Sequence, residues 1–362
     1  MEQVKNTVED KKNLKSFSFR ELVSLMRDMG EKPYRATQIF NWIWRKGETD
    51  IMKFSDIKKS FRERLAEEFF VPSIVEKQRV ESEDGSVKFI FELPDGHEIE
   101  SVFIPDRGRK TVCVSTQVGC PIGCKFCATG LLLGYKRNLE AWEIAEQVLR
   151  ISLALGIRIT NVVYMGMGEP FLNYEATIRS AELLNDDRAL NIGARKITIS
   201  TVGIVPGIYK LAAHPRQFKL AISLHSAIQS KREKIIPVAR RFPLKELRKA
   251  IFSYYHAKKR FVTFEYVLLP GFNDSDEDIE AIDSFLKGLP SKINIIPFNP
   301  FPGSDFRAPT DDEIYRFYTK LMKLPYTVTL RKSKGQDVKA ACGQLALFGH
   351  QRKGMVKPVV KR

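Results

Sequence analysis

The chain has little cysteine and no long apolar run. No part of its 362 residues approaches the roughly 20 consecutive apolar residues that a membrane-spanning helix needs, and the charged N-terminal stretch contains no apolar core of a signal peptide. We therefore expect a cytoplasmic protein with no membrane partner, and a monomer as the default. Five cysteines are an odd number and suit a disulfide framework poorly, so metal binding or catalysis is the better interpretation.

Acidic residues are in deficit. The 43 Asp and Glu face 59 Lys and Arg, which gives a formal net charge of +16. An excess of this size favours a polyanionic partner such as nucleic acid, because lysine and arginine side chains that neutralise phosphates release bound counterions. The alternative is a basic surface with no dedicated partner, and net charge alone does not separate the two.

Helical periodicity marks the beginning of the chain. Apolar residues at helical spacing, with Gly30 and Gly47 as stops, predict three helices between about residues 17 and 70. We assign residues 1–73 to a small helical accessory domain that binds RNA. The second helix mixes aromatic and cationic side chains that suit base stacking and phosphate contact: Tyr34, Arg35, Phe40, Trp42, Trp44, Arg45 and Lys46. The alternative is that its aromatic residues form the helical core.

Extended runs follow these helices. Three runs are separated by Asp84-Gly85 and Asp95-Gly96, dipeptides that are typical of tight hairpin turns. They predict a β-meander extension over residues 74–105.

From residue 106 to 348, short β-branched runs alternate with amphipathic helical stretches. The runs are TVCVST, NVVYMG, KITIST, FKLAISL, VTFEYVLL and KINIIPF. Such alternation predicts an α/β fold of parallel strands with helical crossovers, here a partial TIM-like (β/α)6 barrel with its site at the carboxyl ends of the strands. Residues 349–362 form a basic tail that either contacts phosphate or is a frayed terminus.

Three of the five cysteines are close together. Cys120, Cys124 and Cys127 have the spacing C-x3-C-x2-C on a glycine-bearing loop after the first barrel strand. Three thiolates suit three irons of a [4Fe-4S] cluster and leave the fourth iron open. This spacing resembles the radical S-adenosylmethionine (SAM) superfamily, which implies that SAM chelates the open iron. The alternative, a structural zinc, commonly needs four ligands in two pairs, and the sequence has no second C-x2-C or H-x3-H pair.

Polar and glycine residues end the later barrel strands. The segment MGMGEP offers close backbone approach and a carboxylate for the amino group of SAM, and three further strand ends carry possible donors and acceptors. The predicted SAM-binding residues are Gly168, Glu169, Ser200, Ser223, Leu224, His225 and Asn299. Taken singly, each of the polar residues would instead be a satisfied loop or core residue.

Six blocks extend the resemblance to almost the whole chain. TVCVSTQVGCPIGCKFCATG, YMGMGEPFLNY, ITISTVGIVPGI, ISLHSA, IIPFNPFPGSDF and AACGQL, in this order, resemble the bacterial dual-specificity adenine carbon-2 RNA methyltransferases. The resemblance implies methylation of an adenine in 23S rRNA near the peptidyl transferase centre and of the adenine beside the anticodon in certain tRNAs. It also implies a flavodoxin-like electron donor.

The resemblance assigns the remaining roles. Cys342 matches the cysteine that takes a methyl group from one SAM, and a radical derived from a second SAM then activates this methyl group for addition to carbon 2. Cys113 matches the cysteine that attacks Cys342 and forms a transient disulfide as the product leaves. Glu100 matches the base that accepts the proton of carbon 2. From the residues alone, Glu100 is an exposed strand residue, Cys113 strand core and Cys342 an unexplained thiol.

Two other functions stay open at this point. The first is the sister family that methylates carbon 8 of the same ribosomal adenine, against which the GEP ending after Gly168 and the segment PFNPFPGSDF argue. The second is a non-catalytic RNA-binding protein whose cysteines hold zinc.

Overall fold

The computed structural model describes residues 11–331 and 334–345. The predicted basic tail, 349–362, lies outside these residues. Three helices pack together near the N-terminus, as the periodicity predicted: α1 (Phe19–Asp28), α2 (Tyr34–Trp44) and α3 (Lys59–Glu68). Two short strands, β1 (Lys12–Asn13) and β2 (Phe69–Phe70), pair in parallel beside them.

The turns and core of this helical unit follow from its sequence. A capping box of Ser18 and Glu21 begins α1, and Gly30 and Gly47, with φ of +74° and +67°, end the turns after α1 and α2.

The aromatic residues of α2 divide between core and surface. Phe40 and Trp44 are buried, so for them the core alternative is correct. Tyr34 is 51% exposed. The Nζ of Lys46 lies 3.2 Å from the ring centroid of Trp42.

One mixed sheet of ten strands forms the body of the protein. It begins with antiparallel neighbours that contain the predicted meander: β3 (Val75–Glu81), β4 (Val87–Glu92), β5 (Glu98–Asp106) and β6 (Arg109–Cys113). Gly85 and Gly96 form the two hairpin turns with φ of +80° and +81°, as the Asp-Gly dipeptides predicted. A separate two-stranded ribbon follows β6: β7 (Gln117–Gly119) and β8 (Tyr135–Asn138).

From β6 onward the sheet is parallel, and its strands follow the order of the chain. The strands are β9 (Asn161–Tyr164), β10 (Ile197–Thr201), β11 (Lys219–Ser223), β12 (Val262–Leu268), β13 (Ser291–Pro297) and β14 (Thr327–Leu330). The helices are α4 (Ala141–Leu155), α5 (Tyr174–Asn185), α6 (Val205–Ala213), α7 (Gln229–Ile235), α8 (Leu244–Lys258), α9 (Asp276–Leu286) and α10 (Asp311–Leu321). None of the helices in the described ranges is long and apolar enough to cross a membrane.

The six predicted βα units are confirmed, and β14 adds a seventh parallel strand that the sequence did not predict. Strands β3 and β14 are the two edges of the sheet and do not pair, so the barrel is open. Strand β14 has only four residues, and Val328 is its one buried side chain. This pattern is too short for periodicity to identify a strand. Because parallel strands end at one rim, the loops after β9 to β14 converge there.

Candidate active site at the carboxyl ends of the strands

The three motif cysteines lie on the loop between β7 and β8, residues 120–134, which we call the cluster loop. The loop is closed where Gly119 meets Gly134. A Cβ atom at position 119 would lie 1.9 Å from the carbonyl oxygen of Gly134, and the backbone N–H of Cys120 donates to the same oxygen at 2.7 Å. Only glycine fits position 119, so the ribbon holds the cysteines on a tight, fixed loop.

An open cavity of about 930 Å³ lies between the cluster loop and the strand ends. Nine of the predicted site residues line this cavity: Cys120, Cys124, Cys127, Gly168, Glu169, Ser200, Ser223, His225 and Cys342. The structure places the other four outside it: Glu100, Cys113, Leu224 and Asn299. We call this space the main cavity.

The loop after β9 brings a buried carboxylate to the main cavity. Gly168 has φ of +98°, and a Cβ atom there would lie 2.8 Å from the backbone nitrogen of Gln117, so the two loops touch directly. The carboxylate of Glu169 accepts hydrogen bonds from the backbone N–H groups of Phe171 at 3.0 Å and Val202 at 2.9 Å. Burial raises the pKa of Glu169 to about 7. A cationic amino group in the cavity would favour its ionised form.

His225 contacts both the strand ends and the cluster loop. Its Nδ1 accepts a hydrogen bond from the backbone N–H of Val267 at 2.9 Å, and its ring packs edge to face on Phe126 with centroids 4.4 Å apart. Burial, with a smaller effect of Arg232, lowers the pKa of His225 to about 3. The imidazole is therefore neutral, and because Nδ1 is an acceptor, Nε2 carries the proton.

Burial favours the protonated thiol at two cysteines of the cluster loop. Burial raises the pKa of Cys120 to about 12 and that of Cys124 well above its usual range. Metal binding requires thiolates and releases these protons. A buried guanidinium, Arg232, donates to the carbonyl of Leu224 at 3.1 Å and opposes the effect of burial on Cys124.

The donor set fits an iron-sulfur cluster with one open iron. The three thiols stand on one loop and line the main cavity, which suits a cluster whose open iron takes a further ligand. Within residues 11–331 and 334–345, no group of three or more His, Cys, Asp or Glu side chains is arranged around a single metal ion. Thiols that bind three different irons of a cluster do not converge on one point.

Residues 334–345, which we call the C-terminal segment, place Cys342 at the site. The cluster loop holds this segment, since the carbonyl of Gly343 accepts from the N–H of Ala128 at 2.8 Å and that of Leu345 accepts from Thr129 Oγ1 at 3.0 Å. The Nδ2 of Asn299 donates to the carbonyl of Cys342 at 3.3 Å. Asn299 thus lies beside the site and positions Cys342.

A smaller cavity adjoins the main one and brings the last two cysteines together. Cys113 and Cys342 both line it, and Cys342 lines the main cavity as well. Burial raises the pKa of Cys113 to about 12, and the neighbouring Cys342 adds to this effect.

Glu100 lies on the same face of the sheet as Cys113. Cys113 on β6 pairs with Val102 on β5, and Glu100 is two residues from Val102, so all three side chains share one face. Glu100 is buried, in contrast to its interpretation as an exposed strand residue. Its backbone carbonyl accepts from Ser115 Oγ at 2.6 Å, and its N–H donates to Met167 Sδ at 3.4 Å.

Sequence reasoning missed two charged residues of the main cavity. Glu265, in the middle of β12, is buried, and its Oε1 accepts from Asn294 at 3.0 Å. A carboxylate inside the apolar run FEYVLL is a signal that could have identified it. Arg331, directly after β14, lines both cavities, and no motif marks it.

Two models of known protein families match parts of the chain. Residues 114–285 match the model of the radical SAM superfamily, and residues 12–71 match the model described as ribosomal RNA large subunit methyltransferase N-terminal domain.

Curated relatives match over almost the whole chain. The probable dual-specificity RNA methyltransferase RlmN of Caldicellulosiruptor saccharolyticus is 43% identical over 92% of this chain and 97% of its own. The dual-specificity RNA methyltransferase RlmN of Anaeromyxobacter dehalogenans is 41% identical over 94% of this chain and 93% of its own.

A solved structure has the same fold. The crystal structure of a radical SAM methyltransferase from Sphaerobacter thermophilus matches with a TM-score of 0.87 and 42% identity, over 92% of this chain and 99% of that one. The resemblance seen in the six sequence blocks is confirmed. The chain belongs to the RlmN family of dual-specificity RNA methyltransferases, which are SAM-dependent enzymes of the radical SAM superfamily.

Proposed function

We propose that this protein methylates carbon 2 of adenine in 23S rRNA near the peptidyl transferase centre and in the anticodon loop of tRNA. The names of the full-length relatives support RNA as the substrate, and so does the N-terminal match to a ribosomal RNA methyltransferase domain. The net charge of +16 suits a polyanion. The expected location is the cytoplasm, and a flavodoxin-type protein is the proposed electron donor.

Membership of the radical SAM superfamily implies a [4Fe-4S] cluster and SAM. Cys120, Cys124 and Cys127 hold the cluster in this proposal. SAM is bound by the predicted residues Gly168, Glu169, Ser200, Ser223, Leu224, His225 and Asn299, of which Leu224 and Asn299 lie just outside the cavity wall. When bound, the cluster and SAM supply a carbon radical that abstracts hydrogen from a methyl group.

The position of Cys342 carries the proposal. Its thiol lines both the main cavity and the smaller cavity that contains Cys113. A methyl group on this sulfur would therefore be accessible from the SAM site and from the resolving cysteine. Carbon 2 of adenine lies between two ring nitrogens and is electron-poor, which makes direct displacement of a methyl group from SAM by this carbon implausible, so a radical route is required.

Glu100 and Cys113 complete the reaction. Addition of the methylene carbon on Cys342 to carbon 2 gives an adduct that loses one electron to a one-electron acceptor and one proton to the Glu100 carboxylate. Sγ of Cys113, whose thiol burial keeps protonated, then attacks Sγ of Cys342 and gives up its proton. The S–S bond forms as the S–C bond breaks, and the electron pair passes to the departing carbon, which takes a proton to become the methyl group.

The helical unit and the meander are proposed to hold the RNA, and the target base must leave its stack. Unstacking costs a few kcal/mol and is cheapest for loops and unpaired bases, which suits structured RNA. Tyr34 and Trp42 on α2, with Lys46 just after the helix, offer rings and a cation for contact with RNA.

The test uses protein reconstituted anaerobically with iron and sulfide. Wild type, Cys342→Ala and Cys113→Ala are incubated with SAM, reductant and unmodified 23S rRNA fragments or tRNA. Nucleosides are identified by mass spectrometry against 2-methyladenosine and 8-methyladenosine standards.

The proposal predicts two SAM consumed per 2-methyladenosine in wild type, no product with Cys342→Ala, and a covalent protein–RNA adduct with Cys113→Ala. An 8-methyl product alone contradicts the carbon-2 assignment. A colourless protein with one zinc per chain and no cluster contradicts the enzyme. Cluster formation and 5′-deoxyadenosine release without RNA methylation in wild type contradict the substrate.

A further inference from the structure

A buried lysine lies on the face of the sheet that carries the proposed catalytic residues. Lys88 on β4 pairs with Val102 on β5, which in turn pairs with Cys113 on β6. Directly paired residues share a face of the sheet, so Lys88 and Cys113 lie on the same side, with Glu100 diagonal to Lys88. The side chain of Lys88 is fully buried, which is rare for lysine.

The C-terminal segment covers this face and is fastened to the meander. Asp337 accepts hydrogen bonds from Ser82 Oγ at 2.6 Å and from the N–H of Glu83 at 3.2 Å. The N–H of Gly335 donates to Asp84 Oδ2 at 2.9 Å. The hairpin between β3 and β4 thus holds the first half of the segment that carries Cys342.

Lys88 connects the base to this segment. Its Nζ lies 3.6 Å from Oε1 of Glu100 and donates a hydrogen bond to the backbone carbonyl of Lys339 at 3.1 Å. Lys339 is three residues from Cys342. One ammonium group therefore contacts both the proposed base and the backbone beside the proposed methyl carrier.

We propose that Lys88 is a positioning residue which keeps Glu100 ionised and aimed at carbon 2, and which fixes its distance from Cys342 through the carbonyl of Lys339. This inference deepens the proposed function and rests on it, because it takes Glu100 as the base. Lys88 itself lines neither of the two cavities.

The cost of burying Lys88 supports a specific role. Burial lowers the pKa of Lys88 to about 8, with Glu100 opposing this effect and Lys339 adding to it. Glu100 on β5 and Lys339 on the C-terminal segment are two of the charged groups that act on Lys88, while β3 presents Val80 at the paired position. A methionine or leucine would fill the same space without this cost, so the charge is the property to explain.

The test separates the base step from the earlier steps. Wild type, Lys88→Met, Lys88→Arg and Glu100→Gln are reconstituted, and Cys342 is loaded with methyl before addition of RNA, SAM and reductant. Each single turnover is followed by two readouts: the covalent protein–RNA adduct on denaturing gels, and 2-methyladenosine by mass spectrometry. Turnovers are repeated from pH 6 to 9. Lys77→Met is the matched control, since Lys77 pairs with Glu92 and Glu98 on the same meander but is partly exposed.

Lys88→Met is expected to keep its cluster and its methylated Cys342, to form the adduct, and to release product at least about tenfold more slowly at pH 7. The rising limb of its pH profile is expected about 1 to 3 pH units higher than in wild type, because the favourable effect of an opposite charge is lost. Lys88→Arg should restore part of the rate, and Lys77→Met should match wild type.

Three outcomes overturn the proposal. In the first, Lys88→Met has the adduct fraction and pH profile of wild type, while Glu100→Gln blocks product release. This outcome removes the role of Lys88 but leaves the proposed function intact. The second is normal release with Glu100→Gln, which removes the base assignment as well. The third is a wild type that makes no 2-methyladenosine, which removes the proposed function. If Lys88→Met loses its cluster, Lys88→Arg becomes the deciding variant. A pH profile and a rate of product release equal to those of wild type in Lys88→Arg then contradict the positioning role of Lys88.

Discussion

Among single residues, Arg331 is a cation that interacts electrostatically with both of the cysteines proposed to react with each other. It lines both cavities together with Cys342, and its Nη1 contacts Met165 Sδ at 3.9 Å. The neighbouring Cys342, and to a smaller extent Glu265, raises the pKa of Arg331 above its usual range. A permanent positive charge at this position stabilises negative charge on the sulfur that accepts the methyl group.

Arg331→Met is therefore expected to slow the methylation of Cys342 by SAM about tenfold or more, since about 1.4 kcal/mol of lost stabilisation of the transition state is a factor of ten in rate. Arg331→Lys should retain part of the rate, because it keeps the charge but changes its geometry. The measurement is the time course of S-methylation of the Cys342 peptide by mass spectrometry. Arg307→Met, which removes an exposed arginine paired with Glu313, is the control. Equal rates for Arg331→Met and wild type contradict this role.

At the residue scale, the sequence alone predicts the site residues that belong to short motifs. The cysteines of CPIGCKFC and the segment MGMGEP are close in sequence, so their spacing carries the chemistry. Lys88, Glu265 and Arg331 reach the site only through pairing of distant strands. Nothing local distinguishes Lys88 from any other strand lysine, and its burial depends on the cover that the C-terminal segment provides.

At the scale of elements, the loop after β9 shows how backbone contact shapes the site. Gly168 touches Gln117 of the ribbon strand β7, where a Cβ atom would lie within 2.8 Å of side-chain and backbone atoms. Glu169 then donates its N–H to Gln117 Oε1 at 2.8 Å. The ribbon that supports the cluster loop and the loop that carries Glu169 are thus one packed unit.

Gly168→Ala is expected to push these two loops apart and weaken SAM binding at least about tenfold. Gly30→Ala is the matched control, because Gly30 also has a positive φ of +74° but has no atom within 4 Å of its Cβ position. The positive-φ backbone alone should lower the free energy of unfolding by about 1–2 kcal/mol in each variant, and the contact with Gln117 should lower it further in Gly168→Ala. Binding is measured on the reconstituted protein by equilibrium dialysis. Equal SAM affinity in the two variants contradicts the account.

Most of the elements were predicted, but the short pair β1–β2, the ribbon β7–β8 and the strand β14 were not. The three N-terminal helices, the meander and the six βα units follow from periodicity and turn residues. Strand β14 was missed because its four residues carry too little pattern. It forms by pairing with β13, from Lys292↔Thr327 to Ile295↔Leu330, which is a tertiary contact that local sequence does not encode. The bounds of the domains, 1–73, 74–105 and 106–348, stay a prediction.

For the whole molecule, a buried ion pair joins the N-terminal unit to the barrel. Lys15 Nζ contacts Oε2 of Glu146 on α4 at 2.6 Å and the carbonyl of Pro72 at 2.6 Å, with both charged side chains fully buried. The ammonium lies 5.7 Å from the ring centroids of Trp44 and Trp142. These contacts fix the proposed RNA-binding helices relative to the site.

Glu146→Gln is expected to lower the free energy of unfolding by about 3–5 kcal/mol, because it leaves the buried ammonium without its counter-charge. Lys15→Met should cost less, since Glu146 keeps its hydrogen bonds to Ser73 and Arg150. Urea denaturation of the holoprotein measures both, with Lys59→Met at an exposed ion pair as the control. A smaller effect of Glu146→Gln than of Lys15→Met contradicts the importance of this pair.

The same pair gives a pH dependence with a defined sign. Burial lowers the pKa of Lys15 from 10.5 to about 8. Between these values the unfolded chain binds more protons at Lys15 than the folded protein does, so this group adds stability as the pH rises from about 8 to 10.5. The free energy of unfolding of wild type relative to Lys15→Met should therefore increase over this range. A flat or falling difference contradicts the lowered pKa.

The central claim is that the methyl group reaches RNA from the sulfur of Cys342. It is tested most directly by loading Cys342 with a trideuterated methyl group and running one turnover with unlabelled SAM and RNA. Mass spectrometry of the nucleosides should then show 2-methyladenosine with two deuterium atoms, one having been abstracted and replaced by a solvent proton. A methyl group with no deuterium, or with three, contradicts the account.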